Sequence, residues 1–572
     1  MSVQVVVTAP SFMRSGVVVA LRTHGRGREQ DDKGVVWHFM LNYTDLGFGT
    51  YGNNKFYTLQ LIEDSGQYFV FRKWGRVGAK NPQTAVEKYN GSLEKAQASF
   101  QKKFLEKSGN EWPLGKRGFQ KVDKKYVLVE LDDQEPEFDP LNDDSTMNEL
   151  CDEAAACTEP SKLDERVQDV MKLICDADLI EKEVAAMKLD LKRLPLGRLS
   201  KAQISQGYEL LEKMSNTVTE IMSLTKEKEE EKQEATPASN GRSRRPRRAA
   251  ASGSASNART KRLRALKSDL KELSGAFYSL IPHDFGRQLP PVIETMDEIK
   301  LKIDLLEVLA DIEISQKLQA EKRKAMRAQQ LDGAKVHPLD AQYAMLNIEL
   351  NALAETSDEF KTIQQYVETT HAPTHIQYKL RIRSVLKIKR HEEEAFAETL
   401  QSVPNHRLLW HGSRLCNMVG ILAKGLRVAP PEAPTNGYMF GKGIYFADSV
   451  SKSANYCWAT PDQPRGVLIL AEVALGSAYG ALEAEDLTYE KLKKTRNCDS
   501  LHGLGRMAAP EDGYVTMADG VIVPIGEFEP TGVENGELLY NEFVVYRREQ
   551  VKLRYVVALD FEFHDFDGEV DL

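Results

Sequence analysis

Cysteine is scarce in this chain. Six residues (Cys151, Cys157, Cys175, Cys416, Cys457, Cys498) are scattered through 572 positions. No two stand at Cys-x-x-Cys spacing, so neither a disulfide framework nor a structural zinc site is expected. Long apolar runs are also missing. None approaches the roughly 18 residues that a membrane-crossing helix needs. The valine patches at Val5 to Val7 and Val17 to Val19 are interrupted by Pro10 and Arg14, which leaves no secretory apolar core. With 41% hydrophobic and 28% charged residues, fibrous and wholly disordered chains are excluded. The expectation is a soluble, intracellular, multidomain protein without a metal. Length alone suggests about four domains.

Charge is unevenly placed. The net value of -9 conceals a first segment, residues 1 to 131, with 20 Lys and Arg against 12 Asp and Glu. Residues 132 to 164 then hold 12 acids and one base, Lys162, and residues 242 to 267 hold ten bases and no acid. The basic stretches could each meet a polyanion. For 242 to 267 the absence of any diluting acid favours polyanion binding or nuclear targeting over a merely solvated face.

Periodicity divides the chain. Residues 36 to 75 read as β, with Tyr57, Leu59 and Leu61 alternating with Thr58 and Gln60 before a turn at Gly66. Residues 93 to 107 read as a helix packed on that sheet through Ala96, Phe100 and Phe104. From 161 the period becomes helical: Val167, Val170, Met171 and Ile174 fall at i, i+3, i+4, i+7. Leu199 to Met214 and Ile299 to Ile314 repeat that pattern. Between them 226 to 262, with Pro237, Gly241 and Pro246, reads as a disordered insert. From about 338 strands return. Val467 to Leu475 is a strand buried on both faces. Val551, Leu553, Tyr555, Val557, Leu559, Phe561 and Phe563 alternate as one long half-buried strand. No βαβ alternation suggests a doubly wound sheet.

Gly47-Phe-Gly49-Thr-Tyr-Gly52 matches the dinucleotide fingerprint in letters only. The fingerprint needs a helix after its glycines to receive a pyrophosphate, and here a strand follows, so a glycine-rich hairpin loop is expected. The C-terminal third carries denser signals. Leu409-Trp410-His411-Gly412-Ser413-Arg414 is followed by Gly437 to Asp448, which contains Gly441-Lys442-Gly443-Ile-Tyr445-Phe446. Then come Ser451-Lys452-Ser453-Ala-Asn455-Tyr456-Cys457 and, near the end, Leu539-Tyr540-Asn541-Glu542-Phe543-Val544-Val545. In the last of these, Glu542 is a single acid within an apolar strand.

These stretches resemble the ADP-ribosyltransferase domain of the poly(ADP-ribose) polymerase family, with its His-Tyr-Glu signature. Upstream, Lys73-Trp74-Gly75-Arg76-Val77-Gly78 resembles the family's WGR domain. Leu194-Pro-Leu-Gly197-Arg198-Leu-Ser200 and Leu280-Ile-Pro-His283-Asp-Phe-Gly286 resemble its helical regulatory domain. The resemblance implies a multidomain α+β protein of the DNA-dependent type without zinc fingers. It would comprise a WGR domain with a short N-terminal tail over 1–135, a β-sheet plus a helix; an acidic linker, 136–160; an all-α regulatory domain, 161–332, interrupted by the basic insert 226–262; and a mixed α+β ADP-ribosyltransferase domain, 338–572.

It further implies NAD as the donor substrate, nicotinamide as the leaving group and no metal. Breaking the glycosidic C–N bond builds positive charge on the ribose, as in glycoside hydrolysis, and a fixed carboxylate stabilises that charge. The resemblance gives that task to Glu542, in contact with the nicotinamide-ribose 2′-hydroxyl. His411 would bond the adenosine ribose. Gly412 and Ser453 would hold the nicotinamide amide, and Tyr445 and Tyr456 would sandwich its ring. Ser413, Asn417, Gly420 and Arg427 match positions around NAD. Lys442 would approach the acceptor, and Met439 and Tyr540 would hold the acceptor ADP-ribose during chain growth, favouring polymer over single-unit transfer. Trp74 and Arg76 are DNA candidates: Trp can stack at a strand end, and Arg can pair phosphate or bridge to another domain. Asp304, Glu307 and Asp311 share one helical face and by resemblance exclude NAD at rest. The implied partners are broken DNA, acceptor proteins including chromatin proteins and the chain itself, and an accessory factor for serine modification that docks near the C-terminus. That partnership is put in question by the acidic tail Phe563 to Leu572. No membrane partner is expected, and the nucleus is the expected location. The competing readings are a mono-ADP-ribosyltransferase and a catalytically silent DNA-end scaffold. The intact His411, Tyr445 and Glu542 argue against the scaffold.

Overall fold

Residues 37–48, 50–64, 66–79, 81–115, 118–129, 160–187, 189, 200–234, 249–310, 337–430, 433 and 438–564 are described by the computed structural model. The architecture is mixed α+β, in two units: Met1–Glu153 with Val184–Leu309, and Ala154–Glu183 with Ala310–Leu572.

In the first unit, alternating residues build a five-stranded antiparallel sheet in the order Gln83–Lys88, Gln67–Arg76, Asn53–Asp64, His38–Asp45, Val127–Val129. The glycine-rich stretch is the hairpin connection between His38–Asp45 and Asn53–Asp64, where Asp45 pairs with Asn53 and Gly52 takes φ +61°. The helix Leu93–Ser108 lays Ala96, Phe100 and Phe104 on the sheet, and all three are fully buried. Phe39 meets the rings of Phe100 and Phe104 edge-on, at 5.1 and 4.7 Å, the favoured geometry for aromatic quadrupoles. Gly109 then ends the helix in the left-handed region, its N–H bonded to Leu105 O.

The long helices Lys201–Glu234 and Ala249–Leu280 pack together in the same unit. Their helical turns include 226–234 and 249–262, so the expected disordered insert is helical at both ends, and 235–248 lie outside the described residues. An already nucleated helix propagates easily even where little apolar surface is buried. The Lys/Glu run and the Ala-rich stretch are strong helix formers. Sheet and helices are joined by polar bonds at a buried seam. Asn42 Nδ2 donates to Tyr278 O at 2.8 Å, Thr44 N to Ser279 Oγ at 2.8 Å, and Asn54 Nδ2 to His283 O at 2.9 Å.

In the second unit, a seven-stranded sheet runs in the order Val515–Thr516, Ile522–Val523, His406–Gly412, Arg465–Ala474, Val551–Phe563, Tyr378–Arg390, Ile348–Ala352. Arg465–Ala474 is buried along nearly its whole length, as its unbroken apolar run requires. Val551–Phe563 departs from the expected half-buried alternation. Its register with Arg465–Ala474 shifts between Leu470 and Ala471, which skips Arg554. Val551 and Leu553 therefore join one apolar cluster, and Tyr555, Val557, Leu559 and Phe561 join another on the opposite face. A bulge reverses side-chain parity, and this strand lies inside the sheet with a core on each side. Arg554, at the bulge, pairs with Glu472 at 2.9 Å and with Asp519 at 2.6 Å.

The helix Glu165–Ile174, capped by Asp164, buries Val167, Val170, Met171, Leu173 and Ile174. These belong to the same cluster as Leu409, Met418, Ile469 and Val556. The first amphipathic helix of the expected regulatory domain, 161–332, thus packs into the core of the second unit.

Candidate active site

A four-stranded sheet, ordered Ala478–Ala481, Ser500–Gly503, Glu542–Val545, Ile444–Phe446, meets the seven-stranded sheet at a bridge between Trp410 and Ala447 (N···O 2.9 and 3.0 Å). This junction sets His411 and Gly412, at the end of one sheet, beside Tyr445 of the other, which also carries Glu542, and beside Ser453 of the helix Val450–Ala454.

Glu542 heads its strand, and the next three residues are buried. Val544 stands opposite Tyr445. Cross-strand partners point to the same face and so do residues two apart, which puts the Glu542 carboxylate and the Tyr445 ring on one face. Glu542 forms an ion pair with Lys452 at 3.1 Å, the two side chains only 15% and 16% exposed. Lys452 Nζ also donates to Tyr540 O at 3.0 Å and Asn541 O at 3.1 Å. The Tyr445 hydroxyl donates to Gly441 O at 2.7 Å and accepts from Phe440 N at 3.0 Å. Burial raises its pKa, so it stays a neutral phenol.

His411 Nδ1 lies 2.9 Å from Tyr445 O. A carbonyl only accepts, so Nδ1 carries the proton and Nε2 the lone pair. Burial lowers the imidazole pKa and keeps it neutral. Gly412 allows an approach no other residue could, since a Cβ there would lie 1.7 Å from Ser453 O. Ser453 Oγ donates to Trp410 O at 3.1 Å. On either side of the half-buried Lys442, a Cβ at Gly441 (φ +78°) would meet Leu487 O at 2.2 Å and one at Gly443 would meet Val544 Cγ1 at 2.3 Å.

The helix Leu415–Lys424 carries the buried Gly420 and also Asn417, whose Nδ2 donates to Ser413 Oγ at 2.9 Å. Arg427, past the end of that helix, is exposed. Tyr456 lies in the turn Asn455–Cys457, 40% exposed. Met439 packs beside Phe440 and Leu487. Tyr540 is buried, its hydroxyl 2.8 Å from Thr374 Oγ1 and its ring 5.6 Å from that of His375. Among the described residues, no group of three or more His, Cys, Asp and Glu could hold a metal ion, and no helix is long and apolar enough to cross a membrane.

The remaining candidates lie in the first unit. Trp74 is half-buried against Tyr57, rings 6.1 Å apart. The Arg76 guanidinium donates to Gly286 O at 2.7 Å, Gln288 O at 2.8 Å, Tyr51 O at 3.1 Å and Gly52 O at 3.4 Å. Gly286 and Gln288 lie in the turn that follows the helix Ala249–Leu280. Asp304 and Glu307 are half-buried on the helix 296–310, whose core face is Ile303, Leu305, Leu306, Val308 and Leu309. Asp311 lies outside the described residues, as do 242–248 of the basic block and 565–572 of the tail.

Sequence reasoning did not single out Lys452, Asp448 or Asn541. All three stand inside motifs it quoted, but nothing in the sequence links 448–453 to 540–542.

Residues 357–561 match the family described as poly(ADP-ribose) polymerase catalytic domain, 161–343 the poly(ADP-ribose) polymerase regulatory domain, and 37–119 the WGR domain. The chain is similar to poly [ADP-ribose] polymerase 2 of Homo sapiens, 40% identical over 92% of this chain and 80% of that protein. Poly [ADP-ribose] polymerase 2 of Arabidopsis thaliana is 36% identical over 92% and 74%. Poly [ADP-ribose] polymerase 1 of Gallus gallus is 36% identical over 93% of this chain, which spans 46% of that longer protein.

Proposed function

This chain belongs to the poly(ADP-ribose) polymerase family, and from that premise we propose that it is a DNA-break-activated polymerase that transfers ADP-ribose from NAD to protein side chains and then to the growing chain. It is an NAD ADP-ribosyltransferase, a pentosyltransferase. NAD is its donor substrate.

The observation that carries the reading is the Glu542 carboxylate, held by Lys452 at 3.1 Å on the sheet face shared with Tyr445. In the reaction the C1′–N bond of the nicotinamide ribose breaks and its electron pair leaves with nicotinamide. A C1′–O bond forms to the acceptor, whose hydroxyl proton is released. Glu542 accepts from the ribose 2′-hydroxyl and steadies the cationic ribose, the kind of preorganised charge that contributes most to such barriers. Lys452 holds that carboxylate in place. Tyr445 and Tyr456 take the nicotinamide ring between them, and the Gly412 backbone and Ser453 Oγ hold its amide. His411 Nε2, an acceptor, takes an adenosine-ribose hydroxyl. Ser413, Asn417, Gly420 and Arg427 complete the donor site. Met439, Tyr540 and Lys442 serve the acceptor side.

The rest of the reading concerns control. Trp74 meets a DNA strand end, while Arg76 couples that domain to the segment 286–288. Asp304, Glu307 and Asp311 keep NAD out until DNA binds. The acceptors are chromatin proteins and the chain itself, and an accessory factor for serine acceptors docks near the end of Val551–Phe563. DNA as partner and the basic block 242–267 favour the nucleus.

Labelled-NAD incorporation with and without nicked DNA tests this reading. Wild type should build a polymer ladder only with DNA, and Glu542→Gln should cut synthesis by about a hundredfold or more. Intact polymer synthesis by Glu542→Gln would sink the assignment.

A further inference from the structure

One short stretch, 448–453, grips the segment Tyr540–Glu542 at two places. Lys452 is the first, through its bonds to both preceding carbonyls and to Glu542. Asp448 is the second. It is fully buried, and its Oδ2 accepts from Asn541 Nδ2 at 2.7 Å. The opposite end of the same amide, Asn541 Oδ1, accepts from Gly505 N at 2.9 Å. Asp448 Oδ1 has no hydrogen-bond partner among the described residues.

A carboxylate only accepts hydrogen bonds. Asn541 can therefore stand one way, with its NH2 toward Asp448 and its oxygen toward Gly505. An amide at 448 would fill the same space, and Gly505 N would still hold the Asn541 oxygen, but a neutral carbonyl at 448 would grip the Asn541 NH2 less strongly than a carboxylate does. Burying an acid is costly, and a neutral residue would also join the two segments. What the acid adds is a charge-assisted bond to the side chain immediately before Glu542.

We propose that Asp448 is a positioning residue for the ADP-ribosyl transfer. By locking the Asn541 amide it sets the direction in which the Glu542 carboxylate meets the ribose. The proposal rests on the reading of Glu542 given above.

Reversing the pair tests it. Asn541→Asp sets two carboxylates face to face. Adding Asp448→Asn restores the bond with opposite polarity, since the new amide at 448 donates and the new carboxylate at 541 still accepts from Gly505 N. In the full chain with nicked DNA, Asn541→Asp should lower kcat about a hundredfold with KM for NAD changed less than about threefold, because a misaimed group impairs the step more than binding. The double variant should recover to within about tenfold of wild type. Asp448→Asn alone should lose about fivefold in kcat at an unchanged thermal midpoint. Nicotinamide binding, measured on each variant, reports an intact pocket. An active Glu542→Gln would overturn the underlying reading. If Glu542→Gln is inactive, two results overturn the positioning role: a folded, nicotinamide-binding Asn541→Asp with wild-type kcat, or a folded double variant no better than Asn541→Asp. Should Asn541→Asp not fold, wild-type kcat in Asp448→Asn overturns it.

Discussion

The carbonyl oxygen of Ser453 occupies the space where a side chain at position 412 would begin. A Cβ on Gly412 would lie 1.7 Å from that oxygen and 2.6 Å from the carbonyl carbon. Both neighbours are backbone and cannot rotate away. Gly412→Ala should therefore force the strand end and the helix Val450–Ala454 apart, and with them the two groups assigned to the nicotinamide amide. Nicotinamide affinity should fall by about a hundredfold, since a shift of about 1 Å is enough for that. Calorimetry of nicotinamide binding reads it directly, and wild-type affinity would contradict the assignment.

Arg76 offers a cleaner separation of roles. With four carbonyls around its guanidinium, Arg76→Ala should reduce DNA stimulation of NAD turnover by about tenfold. The slope of log affinity against log salt should stay as in wild type. A phosphate contact would instead reduce that slope by about one unit. Titrating nicked DNA at several salt concentrations decides between the two.

The Arg554–Glu472 pair is a stability element. Both side chains are about one-tenth exposed, and removing the arginine takes the one permanent cation from Glu472, leaving it His406 at 2.7 Å. Arg554→Ala should cost about 3–5 kcal/mol and lower the thermal midpoint. Arg381→Ala, at a pair whose arginine is 61% exposed, should cost less than about 1 kcal/mol.

Acid should act through His411. Burial holds its pKa below the ordinary 6.5, so the unfolded chain takes up the proton first as pH falls. The stability carried by the neutral ring is whole above pH 6.5 and is lost as pH drops toward the lowered native value. Protonation would also end the acceptor role of Nε2. Thermal midpoints below pH 6.5 should fall less steeply in His411→Gln than in wild type.

The shared core of the helix Glu165–Ile174 dictates how autoinhibition is tested. Deleting 161–332 would strip Val167, Val170 and Met171 from the cluster around Ile469 and unfold the transferase. Deleting 184–332 while keeping 160–183 should yield a folded enzyme active without DNA. DNA dependence in that variant would refute a regulatory role for the acids.

Much of this was readable in the residues. The Tyr57, Leu59, Leu61 alternation, the Ala96, Phe100, Phe104 stripe and the doubly buried Val467 to Leu475 are period effects, and the sheet and helix follow them. His411, Gly412, Tyr445, Ser453 and Glu542 stood in long motifs and converge at one sheet junction. The bulge at Arg554 left no mark on an alternation that continues in letters while the faces exchange. The helical turns at 226–234 and 249–262 carry no apolar stripe, since they extend helices already nucleated elsewhere. The Asp448–Asn541 bond joins positions 93 residues apart, a pairing that only the folded chain creates.

The bulge has one more implication. Because Leu553 and Tyr555 serve opposite cores, the two halves of the final strand answer to separate sets of neighbours. Loss of a single residue at 554 would close the bulge with each half still facing its own core, whereas straightening the strand with 554 kept in the ladder would turn one half inside out.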